Sequence, residues 1–366
     1  MVLDCLGEIS AAILKSPVGR QYPDLTAFAF YVRKANLQKL EAALPSGEIR
    51  LGRGLCFHVA PANIPINFAF TWVFSLLAGN ANVVRLPSRD FPQVDALLAI
   101  ITEALGKCPE LLERNVFVKY PRTDNETTAA YCQMADCRMI WGGDRTIAAI
   151  KALPTRPRCV DICFADRYSV ALIDGGAVLD ADETQVARLA EGFYNDTYLM
   201  DQNACSSPQV ILWEHDSREA RERFWGAVEA LARRKYVLQD AVAVDKYTLF
   251  CEEAVGNENI LSVSRKGNLL YRVELKALPP DIVRHRGKAG FFFEYALKSR
   301  DELFKVVTEK FQTVTQFGVD VDALRRQVMD GHLRGIDRIV PVGQAMNIGV
   351  VWDGFDLIRS LSRVIG

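Results

Sequence analysis

Cys205 is the residue of this chain best placed to act as a nucleophile, and it lies in the stretch Asp201–Pro208 with the sequence DQNACSSP. Residues 183–200 before it have apolar side chains at helical spacing, and residues 209–213 after it form a short apolar run typical of a strand. Small neighbours would leave room for a substrate carbonyl that the Cys205 backbone N–H could face. The setting predicts a nucleophile in a polar loop, although the nine cysteines of the chain leave a structural role open.

Two phrases in the first half of the chain also combine residues suited to chemistry. In residues 59–65, VAPANIP, two prolines predict a rigid turn that would hold the Asn63 side chain in one place. In residues 77–88, LAGNANVVRLPS, a helix end and a turn precede a strand with Arg85 at its C-terminal end. In an open parallel sheet, cofactors bind at that end of the strands.

Composition favours small-molecule chemistry over binding of large polyanions. The chain has 366 residues, 49% of them hydrophobic, which is enough for two domains with their own cores. Its 44 basic and 45 acidic residues give a formal charge of −1. This balance argues against nucleic acid or an anionic membrane as the main partner. We expect a soluble globular protein that acts on small molecules.

The cysteine and histidine positions predict neither disulfides nor a metal site. The nine cysteines form no disulfide framework and no CxxC pair, so a reducing cytoplasm fits best. No histidine stands near the closely spaced cysteine pairs, which makes zinc a poor interpretation. The longest apolar run, residues 66–78, is shorter than the ~20 residues of a membrane span. It is interpreted as a buried helix.

Short strands and helices of moderate length alternate from residue 50 onward. Strands are predicted at 54–60, 82–86, 116–120, 138–141, 169–173, 209–213 and 291–295, and helices at 67–78, 91–105, 125–133, 145–153, 183–200, 217–235 and 300–312. The alternation indicates an α/β protein with a doubly wound parallel sheet. Residues 1–45 are predicted to form two or three short helices in a lid or packing layer, with Leu37, Leu40 and Leu44 as one apolar stripe.

In these phrases and in the cysteine loop, the chain resembles the aldehyde dehydrogenase superfamily, and within it the LuxC-type acyl reductases of bacterial fatty-acid reductase systems. The Pro-x-Asn-x-Pro phrase at 61–65, the Ala-Gly-Asn phrase at 78–85 and the loop cysteine occur in the family's order. Residues 338–361 are close to the end of LuxC-type chains. The resemblance covers residues from about 50 to 366.

The resemblance implies an aldehyde-dehydrogenase-like fold, with a Rossmann-type doubly wound cofactor domain and an α/β catalytic domain. The expected divisions are 1–175 for the N-terminal helices and dinucleotide-binding domain, 176–338 for the catalytic domain, and 339–366 for a segment that returns to the cofactor domain. The resemblance also implies that Cys205 is the nucleophile, with the Asn63 amide and the Cys205 backbone N–H as oxyanion donors. The implied cofactor-binding residues are Arg85, Pro87, Ser88, Gly142 and Gly143.

Three departures from the superfamily pattern affect the expected chemistry. Asp144 follows the glycine turn where relatives have a neutral residue, and it is interpreted as a cap of the next helix. The region of the water-activating glutamate, residues 160–169, contains no glutamate. Asp161 is the nearest carboxylate, but its side chain is shorter, so we assign it no catalytic role. Because the segment before Pro61 is also shorter than in most relatives, the oligomeric state, including a homo-oligomer, stays open.

The expected function is NADPH-dependent reduction of an activated fatty acyl group to an aldehyde. The acyl donor would be a coenzyme A ester, an acyl carrier protein or an acylated partner such as an acyl-protein synthetase. NADPH is expected because Ser88 stands where a glutamate of relatives repels the 2′-phosphate. An aldehyde-oxidising dehydrogenase and a non-catalytic acyl-binding relative remain the alternatives.

Two further groups of residues have both a functional and a structural interpretation. The basic run Arg284–Lys288 is either a solvated loop or a docking site for the phosphates of coenzyme A or an acidic carrier. Aromatic side chains around Cys205 are either an acyl tunnel or ordinary core. These aromatic candidates are Phe193, Tyr194, Tyr198, Phe291, Phe292 and Phe293.

Overall fold

The computed structural model describes residues 1–42, 47–61 and 64–366. Its strands are β1 Ile49–Gly52, β2 Leu55–Val59, β3 Ala81–Arg85, β4 Asn115–Val118, β5 Cys137–Trp141, β6 Val160–Phe164, β7 Tyr168–Asp174, β8 Pro208–Glu214, β9 Ile260–Lys266, β10 Leu270–Leu275, β11 Phe291–Ala296, β12 Phe311–Phe317, β13 Arg338–Pro341, β14 Val351–Trp352, β15 Phe355–Asp356 and β16 Ser362–Ile365.

Its α-helices are α1 Val2–Lys15, α2 Pro17–Gln21, α3 Pro23–Tyr31, α4 Lys34–Ala42, α5 Asn67–Leu77, α6 Pro92–Gly106, α7 Pro109–Leu112, α8 Asn125–Met134, α9 Asp144–Lys151, α10 Gly175–Asp180, α11 Glu183–Thr197, α12 Arg218–Lys235, α13 Asp240–Gly256, α14 Arg300–Phe304, α15 Val321–Asp330 and α16 Leu357–Ser360. Within the described residues, no helix is long and apolar enough to cross a membrane.

The chain divides into two compact units, Met1–Ala165 with Val350–Gly366 and Asp166–Gly349. The domain boundaries predicted at 175 and 338 differ from this division. β7 pairs with β8 and β12, which places it in the second unit. β13 pairs with β12, so it also belongs there, and only residues 350–366 rejoin the first unit.

The first unit is built on a parallel sheet with the strand order β4-β3-β2-β5-β6. Helices α5 and α6 pack on one face through side chains such as Trp72 and Leu97. Helices α8 and α9 cover the other face, where Cys132 and Ile147 join the core. Helices on both faces of a parallel sheet confirm the predicted doubly wound fold. The chain reverses its direction of growth between β2 and β5, which is where such folds bind nucleotides.

The described part of the N-terminal layer, residues 1–42, contains the four helices α1–α4, where the sequence predicted two or three. Helix α1 turns Leu6, Ile9 and Ile13 into the same core as α6, so this segment is a packing layer. The predicted apolar stripe ended at Leu44, which lies outside the described residues. Burial of Leu6, Ile9 and Ile13 stabilises the layer by roughly 2 kcal/mol for each side chain.

The second unit has a seven-stranded sheet in the order β13-β12-β7-β8-β11-β10-β9, in which only the β9–β10 pair is antiparallel. Helices α11 and α12 pack on one face around Trp213 and Phe224. Asp182 caps α11, because its carboxylate accepts the Gln185 N–H at 2.8 Å and the Gln185 side chain accepts the Asp182 N–H. This capped helix is followed by the 3₁₀ helix Tyr198–Met200 and then by the loop that carries Cys205.

The predicted helix at 300–312 is wrong beyond its first turn. Helix α14 ends at Phe304, and strand β12 begins at Phe311. The segment between contains Val306 and Val307, and β12 contains Thr313, Val314 and Thr315. β-Branched residues favour extended structure. Helix α13 and strand β6 were also absent from the prediction.

Candidate functional site

The Cys205 loop connects a 3₁₀ helix, Tyr198–Met200, to strand β8. Its first two residues, Asp201 and Gln202, have positive φ angles of 49° and 62°. Residues other than glycine rarely adopt this left-handed conformation, which costs about 1 kcal/mol or more at each position. The surrounding structure must therefore hold the loop in place.

Two buried glutamine side chains fasten this loop to the segment before β11. The Gln202 amide donates to the Phe291 carbonyl at 3.0 Å, and its oxygen accepts the Gly290 N–H at 3.1 Å. The Gln209 amide donates to the Gln202 carbonyl at 3.2 Å, and its oxygen accepts the Gly287 N–H at 3.0 Å. Gly290 has a φ of 88°, and an added Cβ would overlap the Leu269 carbonyl. These bonds fix the backbone around the nucleophile candidate.

Cys205 is half-buried and is held at both its side chain and its backbone. The Gln312 side-chain N–H donates to the Cys205 sulfur at 3.5 Å. The Ser169 hydroxyl donates to the Cys205 carbonyl at 2.7 Å and accepts the Thr313 N–H at 3.3 Å. Sequence reasoning missed Gln312, Ser169 and Thr313, because they lie on strands distant in sequence from Cys205. The β-branched run at 313–315 was the available signal for β12.

Burial makes several of the other thiols poor nucleophiles. Desolvation raises the pKa of Cys5 and of Cys159 to about 11, and it also raises the pKa of Cys56, Cys132 and Cys163. The thiolate is the reactive form of cysteine. These five side chains therefore compete weakly with Cys205 for an electrophile near neutral pH.

A buried carboxylate, Asp196, links the Cys205 loop to the chain after β13. Its oxygens accept the N–H groups of Gly343 at 2.6 Å and Ala345 at 2.9 Å. Its backbone carbonyl accepts the Ser207 hydroxyl at 2.7 Å. Burial raises the pKa of Asp196 to about 7, and the two N–H donors and Arg338 oppose this rise. The residue is a structural anchor whose charge changes near neutral pH.

The predicted oxyanion donor Asn63 lies outside the described residues, as does its neighbour at position 62. The assignment of the Asn63 amide and the Cys205 backbone N–H to an oxyanion therefore stays a prediction. Pro61 directly follows the carboxyl end of β2, after Ala60. Residues 59–61 of this phrase lie at the carboxyl end of β2, which is the edge described next.

The five candidate cofactor residues lie at the ends of neighbouring strands, or just after them, at one edge of the first unit's sheet. Val59 at the end of β2 pairs with Arg85 of β3 on one side and with Ile140 of β5 on the other. Pro87 and Ser88 follow β3, and Gly142 and Gly143 follow β5. The residues therefore share the carboxyl edge at the point where the strand order reverses, which is a nucleotide-binding position in folds of this kind.

The residues at this edge are compatible with a dinucleotide. Gly143 and Ser88 are exposed, and a Cβ added at Gly143 would meet open space. A Cβ at Gly142 would lie 3.2 Å from the Thr146 side chain, which accounts for glycine in this tight turn between β5 and α9. The Arg85 guanidinium lies 4.5 Å from the centre of the Tyr120 ring. Pro87 is buried just after the end of β3.

Asp144 and Asp161, the two carboxylates singled out from the sequence, have structural roles. Asp144 is the first residue of α9, whose N-cap is Gly143, so the interpretation of Asp144 as the cap is wrong. Its negative charge still lies in the first turn, where the helix dipole favours it. Asp161 pairs with the buried Arg138 through two bonds of 2.7 Å, between neighbouring strands β6 and β5. Both oxygens of Asp161 are thus engaged.

The basic run 284–288 is largely neutralised by nearby carboxylates. Arg286 forms a bidentate pair with Asp166 at 3.0 Å, and Lys288 pairs with Asp245 at 2.8 Å. Arg284 is 81% exposed. This pairing favours the interpretation as a solvated loop over a docking site for phosphates.

The aromatic side chains proposed for an acyl tunnel belong to the core. Phe193 and Phe292 pack together with Trp225 in one core cluster, with ring centres 5.2 to 5.5 Å apart. Phe291 and Phe293 project into the core on the opposite face of the sheet. Tyr198 is fully buried, and its hydroxyl donates to the Leu269 carbonyl. Packing in the core therefore accounts for these aromatic side chains without an acyl tunnel.

Comparison with protein families matches residues 33–249 to the model of acyl-CoA reductase (LuxC). A long-chain acyl-protein thioester reductase of Vibrio harveyi is 23% identical over 334 residues, which cover 88% of this chain and 66% of the relative. Long-chain acyl-protein thioester reductase 2 of Photobacterium leiognathi is 26% identical over 48% of this chain and 35% of the relative. The chain thus matches less than two thirds of the length of either relative.

Solved structures with a similar fold are aldehyde dehydrogenases. An aldehyde dehydrogenase from Physcomitrella patens superposes with a TM-score of 0.69 at 12% identity, covering 100% of this chain and 84% of that one. A glyceraldehyde-3-phosphate dehydrogenase from Methanocaldococcus jannaschii, solved with NADP, gives a TM-score of 0.68 at 12% identity over 100% and 88% of the two chains. At this identity the likeness shows a shared fold, and it confirms the predicted fold class.

Proposed function

The chain belongs to the LuxC acyl-CoA reductase family, and from that premise we propose that it reduces an activated fatty acyl group to an aldehyde with NADPH, through an acyl-enzyme on Cys205. The observation that carries the proposal is the position of the Cys205 sulfur. It lies in a braced, half-buried loop with an amide N–H donating to it, while burial raises the pKa of five other thiols.

In the proposed reaction, the Cys205 thiolate attacks the carbonyl carbon of an acyl thioester. A carbon–sulfur bond to Cys205 forms, the bond to the leaving thiol breaks, and that thiol takes a proton. NADPH, which Arg85, Pro87, Ser88, Gly142 and Gly143 would hold, would supply the hydride that reduces the acyl carbon. The Cys205 sulfur then leaves as a thiolate, and the aldehyde is released. Because thiolates are good leaving groups, the chain needs no strong general acid.

Negative charge develops on the carbonyl oxygen in both tetrahedral species. We assign the Asn63 amide and the Cys205 backbone N–H as its donors. Losing one donor of this kind typically lowers the rate by about 10² to 10³. The loop's glutamine clamps support this assignment, because a preorganised backbone N–H needs no reorganisation during the reaction.

For the cofactor, we assign Arg85, Pro87, Ser88, Gly142 and Gly143 to NADPH. Ser88 contributes no negative charge to the edge where a ribose phosphate would lie. Arg85, together with Arg89, offers guanidinium groups that suit phosphate recognition. These features favour NADPH over NADH.

For the acyl donor, we propose a thioester carried by coenzyme A or by a protein. The relatives' names specify long-chain acyl-protein thioesters, so an acyl carrier protein or an acylated synthetase is a candidate partner. Oxidation of aldehydes to acids is disfavoured because Asp161, the nearest candidate for a water-activating base, is engaged with Arg138 through both oxygens.

Intact-mass spectrometry tests the proposal directly. The protein is mixed with saturated acyl-coenzyme A esters of increasing chain length, without NADPH. We expect one acyl adduct per chain, which Cys205→Ala abolishes. Cys251→Ala is the matched control, because Cys251 is also half-buried but lies on α13. An undiminished adduct in Cys205→Ala would reject Cys205 as the nucleophile.

A further inference from the structure

We propose that Gln312 is a further catalytic residue, whose side-chain N–H holds the Cys205 sulfur in its thiolate form and orients it for attack. This inference rests on the proposed role of Cys205 as nucleophile. The contact that supports it is the 3.5 Å separation between the Gln312 side-chain nitrogen and the Cys205 sulfur. Such a distance is suitable for a hydrogen bond to sulfur, because sulfur is larger than oxygen.

An irregularity in strand pairing presents Gln312 to the sulfur. Phe311 pairs with Tyr168, but Val314 pairs with Val170, so three steps along β12 correspond to two along β7. Phe311 and Val314 consequently point into the same core cluster, although regular alternation would place them on opposite faces. The residues between them are Gln312 and Thr313. Bulges of this kind redirect side chains and are frequent next to active sites.

The residue after Gln312 holds the backbone of the nucleophile. The Thr313 N–H donates to the Ser169 hydroxyl, which in turn donates to the Cys205 carbonyl. The two residues of the bulge therefore both act on Cys205. Gln312 contacts the sulfur, and Thr313 holds the Ser169 hydroxyl that donates to the carbonyl. Gln312 is fully buried, at 0% exposure, so its amide is held by the packing around it.

Five charged side chains on the elements around the loop have other partners. Asp196 binds the N–H groups of Gly343 and Ala345, Asp201 accepts the Tyr236 hydroxyl, Lys246 donates to Ala289, and Arg286 and Lys310 pair with Asp166. The Gln312 amide is the donor to the sulfur on which this inference rests. A donor stabilises a thiolate more than a neutral thiol, because the anion is the stronger acceptor.

The test measures alkylation of Cys205 by iodoacetamide as a function of pH, with peptide mass spectrometry to confirm the modified residue. Gln312→Met removes the donor at similar volume, and Gln312→Glu replaces the amide by a carboxylate of the same shape. We expect the midpoint of the alkylation profile to rise by about one pH unit in Gln312→Met, a tenfold loss of thiolate near neutral pH. The rise should be larger in Gln312→Glu, because of the added negative charge.

Gln316→Met is the matched control, since Gln316 lies on the same strand and its side chain accepts the Val319 N–H. Its midpoint should equal that of the unaltered protein. An unchanged midpoint in both folded Gln312 variants would overturn the inference, and Gln312→Glu keeps the test valid if Gln312→Met fails to fold. Because alkylation needs neither acyl donor nor NADPH, this result is separate from the adduct test, whose failure would reject the proposed function itself.

Discussion

Arg138 and Asp161 form a bidentate ion pair between neighbouring parallel strands, with both N–O distances at 2.7 Å. The Arg138 side chain is 3% exposed, and its third contact is the Ile150 carbonyl at 2.9 Å. The pair thus neutralises a buried guanidinium and joins β5, β6 and α9. A carboxylate used in this way is unsuited to activating water.

The first prediction is that Asp161→Ala lowers stability and leaves the acyl chemistry intact. Removing one partner of a buried pair leaves an uncompensated charge, which costs about 3 kcal/mol in free energy of unfolding. Urea unfolding measures that cost, and the rate of adduct formation on Cys205 should not change. Unchanged stability together with a loss of acid formation from aldehyde would instead identify Asp161 as a base.

The second prediction concerns the choice of cofactor. Ser88→Glu should lower kcat/KM for NADPH relative to NADH by about tenfold or more, because a carboxylate would repel the 2′-phosphate. Steady-state kinetics with both cofactors measure the ratio. Ser88→Ala is the control and should keep the preference for NADPH. A higher kcat/KM with NADH in the unaltered protein would contradict the assignment.

The third prediction is a dependence of stability on the charge of Asp196. Its folded-state pKa of about 7 exceeds the ordinary value of 3.8, so the folded state binds the proton more tightly than the unfolded state. The contribution of Asp196 to stability is therefore full below about pH 4 and is lost as pH rises toward 7, by roughly 2 to 4 kcal/mol.

Denaturant unfolding at several pH values measures this effect. Asp196→Asn cannot ionise. The free energy of unfolding of the unaltered protein minus that of this variant should therefore decrease as pH rises from 4 to 8. A difference that grows over the same range would show that the N–H groups of Gly343 and Ala345 outweigh burial and keep Asp196 ionised.

The sequence predicted the elements that have a clear local pattern. Helix α11, strand β8 and the cysteine loop between them follow from apolar periodicity, whereas the turn at Gly142 and Gly143 followed from the resemblance to the superfamily. The contact between Gln312 and Cys205 could not be predicted, because it depends on a bulge and on the pairing of β12 with β7. Similarly, the partner of Asp161 is on a neighbouring strand, and no local pattern specifies such a pair.

The misplaced helix at 300–312 shows how this limit affects function. Leu303 and Val306 have helical spacing, but the helix ends at Phe304 and Gln312 lies on a strand. An incorrect element thus concealed the residue whose side chain contacts the proposed nucleophile. The β-branched residues at 313–315 were a local signal for β12, whereas the pairing of β12 with β7 was the missing long-range information.

The central claim is that an acyl group on Cys205 is reduced by NADPH. The most direct measurement isolates the acyl-enzyme after reaction with an acyl-coenzyme A ester, and then follows its mass and its products with and without NADPH. Because Asp161, the nearest candidate base, is engaged with Arg138 and we assign no other base among the residues that the structure describes, we predict that the adduct persists in buffer and is discharged to aldehyde when NADPH is added. Rapid release of free acid in buffer, or an adduct that persists unchanged with NADPH, would contradict the account.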